Sequence, residues 1–255
     1  MKVLVTVTEV ANADDEFEIS GTEIEETYLS YDLNEWDEYA LEAAVRLGEN
    51  DDSVEVVTAT VGPERVEETI RTALAKGADR AVRVWDDELA DETMLDPSRK
   101  AKLLAEVVEA EEPDLVLSGV QSGDVALGAT GVALAAQVGF GWAAVVNQFE
   151  IEEESVQVHR ELEGGVEERT SVELPAVLTI QTGINEPRYA SLRGIRQAQS
   201  KPLEVRSPSV PGGSPLALTD LAVPESESDT EIFEGSAEET TAELATLLEE
   251  KGVGT

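Results

Sequence analysis

Cysteine is absent from the 255 residues. That excludes disulfides, thiolate nucleophiles and cysteine-bound zinc or iron–sulfur sites, and it fits a reducing compartment. Histidine occurs once, at His159, inside an alternating segment. With no second histidine near it, His159 reads as a strand or surface residue rather than a metal ligand or catalytic base. Positive charge is scarce: 18 Lys and Arg, only six of them Lys, stand against 55 Asp and Glu, for a net charge of −37. Such a charge repels nucleic acid and anionic membranes, so neither is expected as a partner. Long apolar runs are also missing, and the start Met1–Val7 is too short for a signal peptide, so a soluble cytoplasmic protein is expected. No G-x-S-x-G, H-E-x-x-H or Walker string occurs, and Thr8-Glu9-Val10 stands where a dinucleotide-binding glycine turn would follow a first strand. Acid pairs are so numerous that none stands out as a general acid and base. Nothing points to an enzyme.

What is present is a globular chain with its acids spread along its whole length and 41% hydrophobic residues. This is the pattern of a halophile-type surface, which stays soluble where salt screens charge within a few ångströms. Runs such as Glu150–Glu154 read as solvated faces. The length allows one domain of about 200 residues plus an extension.

In chain order, Val3–Val7 reads as a buried strand, and Glu9–Leu33 as a hairpin or long loop over the sheet edge. Asn34 can cap a helix with apolar positions from Trp36 to Leu47, ending at Gly48. Val54–Val61 reads as a strand stopped by Gly62-Pro63, Glu64–Lys76 as a helix stopped by Gly77, Ala81–Trp85 as a strand, and Asp96-Pro97 as the start of a helix up to Pro113. This alternation predicts an α/β fold, a Rossmann-like parallel sheet with helices on both faces. Val145–Phe149, Val156–Arg160 and Arg169–Leu174 read as antiparallel β additions, and Pro175–Ile180 as a further buried strand. After Ile184 regular pattern fades. Residues 1–184 are thus expected to form the nucleotide-binding domain, 185–206 a recognition loop, and 207–255 a C-terminal arm. Ser207–Asp229 in that arm is a linker by composition, and Ser236–Lys251 a docking helix with Leu244, Leu247 and Leu248 on one side.

Two stretches carry the functional signal. In Pro113–Gly131 a short apolar strand, Asp114–Leu117, opens into Ser118, Gly119, Gln121, Ser122, Gly123 and Asp124, and a helix-like run follows from Val125 to Ala136. A strand feeding a helix amino terminus suits a phosphate, so this is either a nucleotide cradle or an ordinary glycine-rich turn. From Arg188 to Arg206, five bases (Arg188, Arg193, Arg196, Lys201 and Arg206) meet a single acid, Glu204. That segment is either a surface for an acidic partner or a clamp onto the chain's own acids.

Asn185-Glu186-Pro187-Arg188-Tyr189-Ala190-Ser191-Leu192, with Ile195 and Ala198, closely resembles the recognition-loop region of the electron transfer flavoprotein β subunits (FixA family). The likeness extends through Asn34–Leu47, through Gly62-Pro63 with Thr69–Arg80, through Gly119-x-Gln121 with Asp124 and Thr130-Gly131, and through Arg160–Glu167 with Leu174–Val177. With the acidic composition, it suggests a halophilic archaeal member. The resemblance implies a heterodimer with an α subunit that holds the redox-active FAD, while this subunit holds AMP. It also implies electron transfer from acyl-CoA and related flavin dehydrogenases to a membrane quinone oxidoreductase. Carried over position by position, the nucleotide would be held by Thr6, Asn34, Glu35, Trp36, Asp37, Val61, Gly119, Val120, Gln121, Ser122, Gly123, Asp124, Gly128 and Thr130. Glu186, Arg188, Tyr189, Leu192, Ile195 and Arg196 would meet the partner, with Leu192 as its anchor. The chain departs from the family where Val120 stands in place of a basic residue, and where Val125 and Ala126 replace polar neighbours of Asp124. Two alternatives stay open: a bifurcating type that binds a second FAD in this subunit, and an adenine-nucleotide-sensing protein similar to universal stress proteins.

Overall fold

The computed structural model describes all residues except 93, 210–212, 224–231 and 253–255, so parts of the expected linker lie outside the described residues. The chain divides into two units, Met1–Leu221 and Ala222–Thr255.

The first unit is built on seven parallel strands: β1 (Lys2–Thr6), β6 (Glu55–Val61), β7 (Arg80–Val84), β8 (Leu115–Gly119), β9 (Gly141–Val146), β13 (Ala176–Ile180) and β14 (Leu203–Arg206). Their spatial order is β14-β7-β6-β1-β8-β13-β9. The central strands are nearly continuous runs of Val, Leu, Ile and Ala because both faces of the sheet are covered. On one face pack α1 (Glu35–Asn50), α2 (Glu67–Lys76) and α5 (Leu192–Ala198); on the other pack α3 (Pro97–Glu111) and α4 (Thr130–Val138). Leu4, Leu103, Leu117, Leu134, Leu178 and Ile180 are fully buried, and each such side chain is worth about 1.5–3 kcal/mol of apolar transfer.

The helix ends follow their sequences. Asp96 caps α3, its carboxylate accepting from the Ser98 N–H at 2.8 Å, with Pro97 at the first helical position. Gly77 ends α2 at φ 137°, where a side chain would also meet Val45. At the opposite end of the sheet Glu111 accepts from Lys2, Arg80 and Arg206, which ties β1, β7, β14 and α3 together. The Arg80 guanidinium leads in holding the Glu111 carboxyl down to about 2.

Smaller elements complete the unit. β2 (Glu9–Ala13) pairs antiparallel with β5 (Leu29–Leu33), with the short hairpin of β3 (Ile19–Ser20) and β4 (Glu23–Ile24) between them. A three-stranded antiparallel sheet joins β10 (Gln148–Ile151), β11 (Ser155–Leu162) and β12 (Val166–Glu173). The second unit holds α6 (Ala237–Glu250), opened by a capping box between Ser236 and Glu239. Its Leu244 and Leu248 are exposed.

Three sequence expectations are corrected. The run from Val125 is not helical: Ala126 and Gly128 take positive φ, and α4 starts only at Thr130. Val145–Phe149 is not one antiparallel segment. Val145 takes φ 60° where the β13–β9 register shifts, so its first part ends the parallel edge strand β9 and its last part opens β10. Pattern does not fade after Ile184 either, since α5 packs on α2 and β14 adds an edge strand beside β7.

Candidate functional site

Between β1 and β8 the winding of the sheet reverses, since β6 and β7 follow on one side and β8 starts the other. In open parallel sheets ligands bind at the carboxyl ends of strands at such a reversal. A cleft lies there. Thr6, Ala59, Val61 and Ser118, at the ends of β1, β6 and β8, form its floor. The loop from Gly119 to Thr130 makes one wall and Leu95, Pro97, Lys100 and Leu104 another, while Asn34 and Asp37 close it from the start of α1.

Asp37 holds these pieces in register. One carboxylate oxygen accepts from the Gly119 N–H and the other from the Thr8 N–H, both at 2.8 Å. Burial pushes the Asp37 carboxyl up to about 6, against the opposing pull of hydrogen bonds from Asn34, Gly119 and Thr8. Gly119 is required by this approach: a Cβ there would lie 2.6 Å from both Asp37 Oδ1 and Trp36 Cβ. Asn34, 2% exposed, donates from Nδ2 to the Gln121 carbonyl at 2.8 Å, while its Oδ1 finds no partner among the described residues. A buried acceptor left unpaired costs on the order of 1–3 kcal/mol, so this oxygen is suited to a ligand's donor. Among the described residues no side chain caps α4, whose first residue, Thr130, lines the cleft. Its first-turn N–H groups and the positive end of its dipole are therefore open to an anion.

Of the expected nucleotide residues, Thr6, Asn34, Asp37, Val61, Gly119, Val120, Gln121, Ser122, Gly128 and Thr130 line the cleft. Glu35, Trp36, Gly123 and Asp124 do not. Glu35 is exposed, and the Trp36 indole donates to Gln181 Oε1 at 3.3 Å. Gly123 is exposed, and the Asp124 carboxylate is engaged by the N–H of its neighbour Val125 at 2.7 Å. Sequence reasoning missed the α3 wall, including Lys100. The available signal was a lysine in the first turns of a helix that enters from the same end of the sheet.

The segment after β13 is fastened to the body. Arg188 Nε donates to Glu42 Oε2 at 2.7 Å and its Nη1 to Glu49 Oε1 at 2.5 Å. Burial raises the pKa of Glu42, but hydrogen bonds from Arg188 and Arg46 outweigh it and hold the carboxyl below its ordinary value. Lys76 Nζ donates to the Arg188 carbonyl, Lys201 Nζ to the carbonyls of Leu74 and Ala78, and Arg71 to those of Ala198 and Lys201. Gly194 lets α5 approach the Ala75 carbonyl of α2. So Arg188, Lys201 and Arg206 serve the chain itself. Tyr189 at 95%, Leu192 at 75% and Ile195 at 46% exposure point outward, and Glu186, Arg193 and Arg196 are exposed beside them.

Residues 22–211 match the family described as the electron transfer flavoprotein domain. The chain is also 48% identical over 209 residues to the electron transfer flavoprotein subunit beta of Methylophilus methylotrophus, covering 80% of this chain and 78% of that one. It belongs to the electron transfer flavoprotein family. Its likeness to the flavoprotein's beta subunits reaches further species. It is 37% identical over 225 residues to that of Homo sapiens (88% and 86% coverage) and 34% over 210 residues to that of Dictyostelium discoideum (82% and 82%). As an electron transfer flavoprotein of the beta type, it is a carrier subunit, not an enzyme. Among the described residues no helix is long and apolar enough to cross a membrane.

Proposed function

We propose that this subunit holds AMP in the β1/β8 cleft as a structural ligand, while the α subunit holds the FAD that carries electrons. The pair then takes electrons from acyl-CoA and related flavin dehydrogenases and passes them to a membrane quinone oxidoreductase, in the cytoplasm of an organism adapted to concentrated salt. The observation that carries the ligand reading is the orphaned Asn34 Oδ1 in a cleft that also opens onto the uncapped amino end of α4. Adenine offers the donor that such an oxygen lacks, and a phosphate suits the helix end. Bound AMP would supply no redox chemistry. The chain's own part is to position it: Asp37 fixes Thr8 and Gly119, and Asn34 fixes the Gln121 carbonyl.

The outward face of residues 185–206 is the proposed docking surface for the dehydrogenase. Leu192 serves as an apolar anchor beside Tyr189 and Ile195, with Arg193 and Arg196 to draw an acidic partner. A single exposed anchor among polar neighbours suits fast, reversible contact. α6, with Leu244 and Leu248 exposed, is proposed as a docking element for the α subunit.

Co-expression with the α subunit, followed by a visible spectrum and mass analysis of released nucleotides, tests the reading. One FAD and one AMP per pair is the expected result. Two FAD would indicate the bifurcating type, and a colourless homodimer would favour the nucleotide sensor.

A further inference from the structure

In a chain with 55 acids and 18 bases, a cation seldom lacks a partner. Lys2, Arg46, Arg65, Lys76, Arg80, Arg83, Arg99, Arg160, Arg188 and Arg206 all form ion pairs with the chain's own carboxylates. Arg71 and Lys201 are taken up by main-chain carbonyls. Lys102, Arg169, Arg193, Arg196 and Lys251 make no such bond among the described residues, but they stand in solvent. Lys100 differs from both groups. It is half-buried, it lines the cleft, and it has no ion pair or hydrogen bond among the described residues.

Removing part of an ammonium group's hydration without a counter-charge is costly. Yet the acids of this chain leave Lys100 alone. The one carboxylate lining the same cleft among the described residues, Asp37, is already engaged by the Thr8 and Gly119 N–H groups. α3's own amino end is closed by Asp96, whereas α4's is open. The cleft therefore combines a cation, an uncapped helix and the unpartnered Asn34 Oδ1, a buried acceptor at 2% exposure. The acceptor asks for a neutral donor and the cation for an anion, which together describe a nucleotide better than a nucleoside or a simple ion.

We propose that Lys100 is the specificity residue that makes this cleft select a phosphorylated adenine ligand over its unphosphorylated form, by supplying the charge that meets the phosphate. This rests on the adenylate reading above. A lysine does this as a point charge on a flexible stem, so an arginine can replace it while an uncharged side chain of similar length cannot.

The test uses the complex of the full chain with its α subunit, stripped of bound nucleotide and titrated with AMP and with adenosine. Lys100→Met is expected to weaken AMP binding about 10- to 100-fold, the worth of one charge-assisted hydrogen bond, and to leave adenosine binding unchanged. Lys100→Arg is expected to retain AMP within a few-fold. If Lys100→Met binds AMP as the parent does while the parent carries an adenylate, the role of Lys100 is overturned and the ligand reading stands. A parent complex that binds neither AMP nor adenosine overturns both. Should Lys100→Met not assemble, Lys100→Gln takes its place. Equal affinity of the parent complex for AMP and adenosine sinks the proposal whatever the variants do.

Discussion

Two loops leave neighbouring strands at the same end of the sheet, and they solve opposite problems. The loop after β8 is held at its start by Asp37 and Asn34 and walls a cleft that Asn34 also lines, its Oδ1 without a partner among the described residues. The segment after β13 is tied to the body through Arg188, Lys76, Lys201 and Arg71, and leaves apolar side chains in solvent. An unsatisfied interior needs a small polar ligand; an anchored segment with bare hydrophobic residues suits another protein's surface. Parallel topology makes both from strand ends, and the difference lies in where the hydrogen bonds are spent.

The largest expected effect breaks the first loop. Gly119→Val would drive a branched side chain into Asp37 and Trp36, and it should cost about 3 kcal/mol, read as a lower denaturant midpoint. Gly123, with open space around it, should accept Ala within about 0.5 kcal/mol.

Next comes pH. Burial keeps the Asp37 carboxyl at about 6 in the folded chain, against roughly 4 when unfolded. Between those values the folded state binds the additional proton, so this group's contribution to stability rises as pH falls from about 6 to about 4 and is least favourable above 6. The stability of the parent relative to Asp37→Asn should therefore grow by about 2–3 kcal/mol between pH 7 and pH 4. A flat difference across that range would show that the carboxyl titrates normally.

For the second loop, Arg188→Ala leaves buried Glu42 with Arg46 alone and frees Glu49. A loss of about 1–2 kcal/mol is expected, together with faster hydrogen exchange over residues 185–200. Leu192→Ala should change stability by less than about 0.5 kcal/mol, since the side chain is 75% exposed. Its effect should appear instead as slower electron uptake from the dehydrogenase with cofactor content intact. Unchanged transfer kinetics would remove the anchor role and with it half of the comparison.

The parallel sheet was legible because its strands are short apolar runs ended by Gly, Pro or polar turns, as in Val54–Val61 before Gly62-Pro63. The start of α4 was not. Val125-Ala126-Leu127 has the composition of a helix, and only the positive φ of Ala126 and Gly128 turns it into a loop wall. α5 and β14 were hidden for a related reason: Arg193, Arg196, Glu204 and Arg206 mask a short helix and an edge strand that tertiary contacts, not periodicity, hold in place. In the site, residues at strand ends, with Asn34 and Asp37 at the start of α1, could be placed by topology and resemblance. The α3 wall could not, because it comes from a crossover before β8 and reaches the cleft only once that helix covers the sheet.

By itself the sequence determined the class of fold, the absence of thiol and motif-based catalysis, the acidic surface and the two stretches, Pro113–Gly131 and Arg188–Arg206, that stand apart in composition. These follow from composition and short-range pattern, which survive without knowledge of neighbours. The tertiary structure decided which arginines are spent inside and which side chains remain bare. It also put Lys100, Asn34 and the open end of α4 around one cleft, since pairing between distant charges is fixed only when the chain has closed on itself.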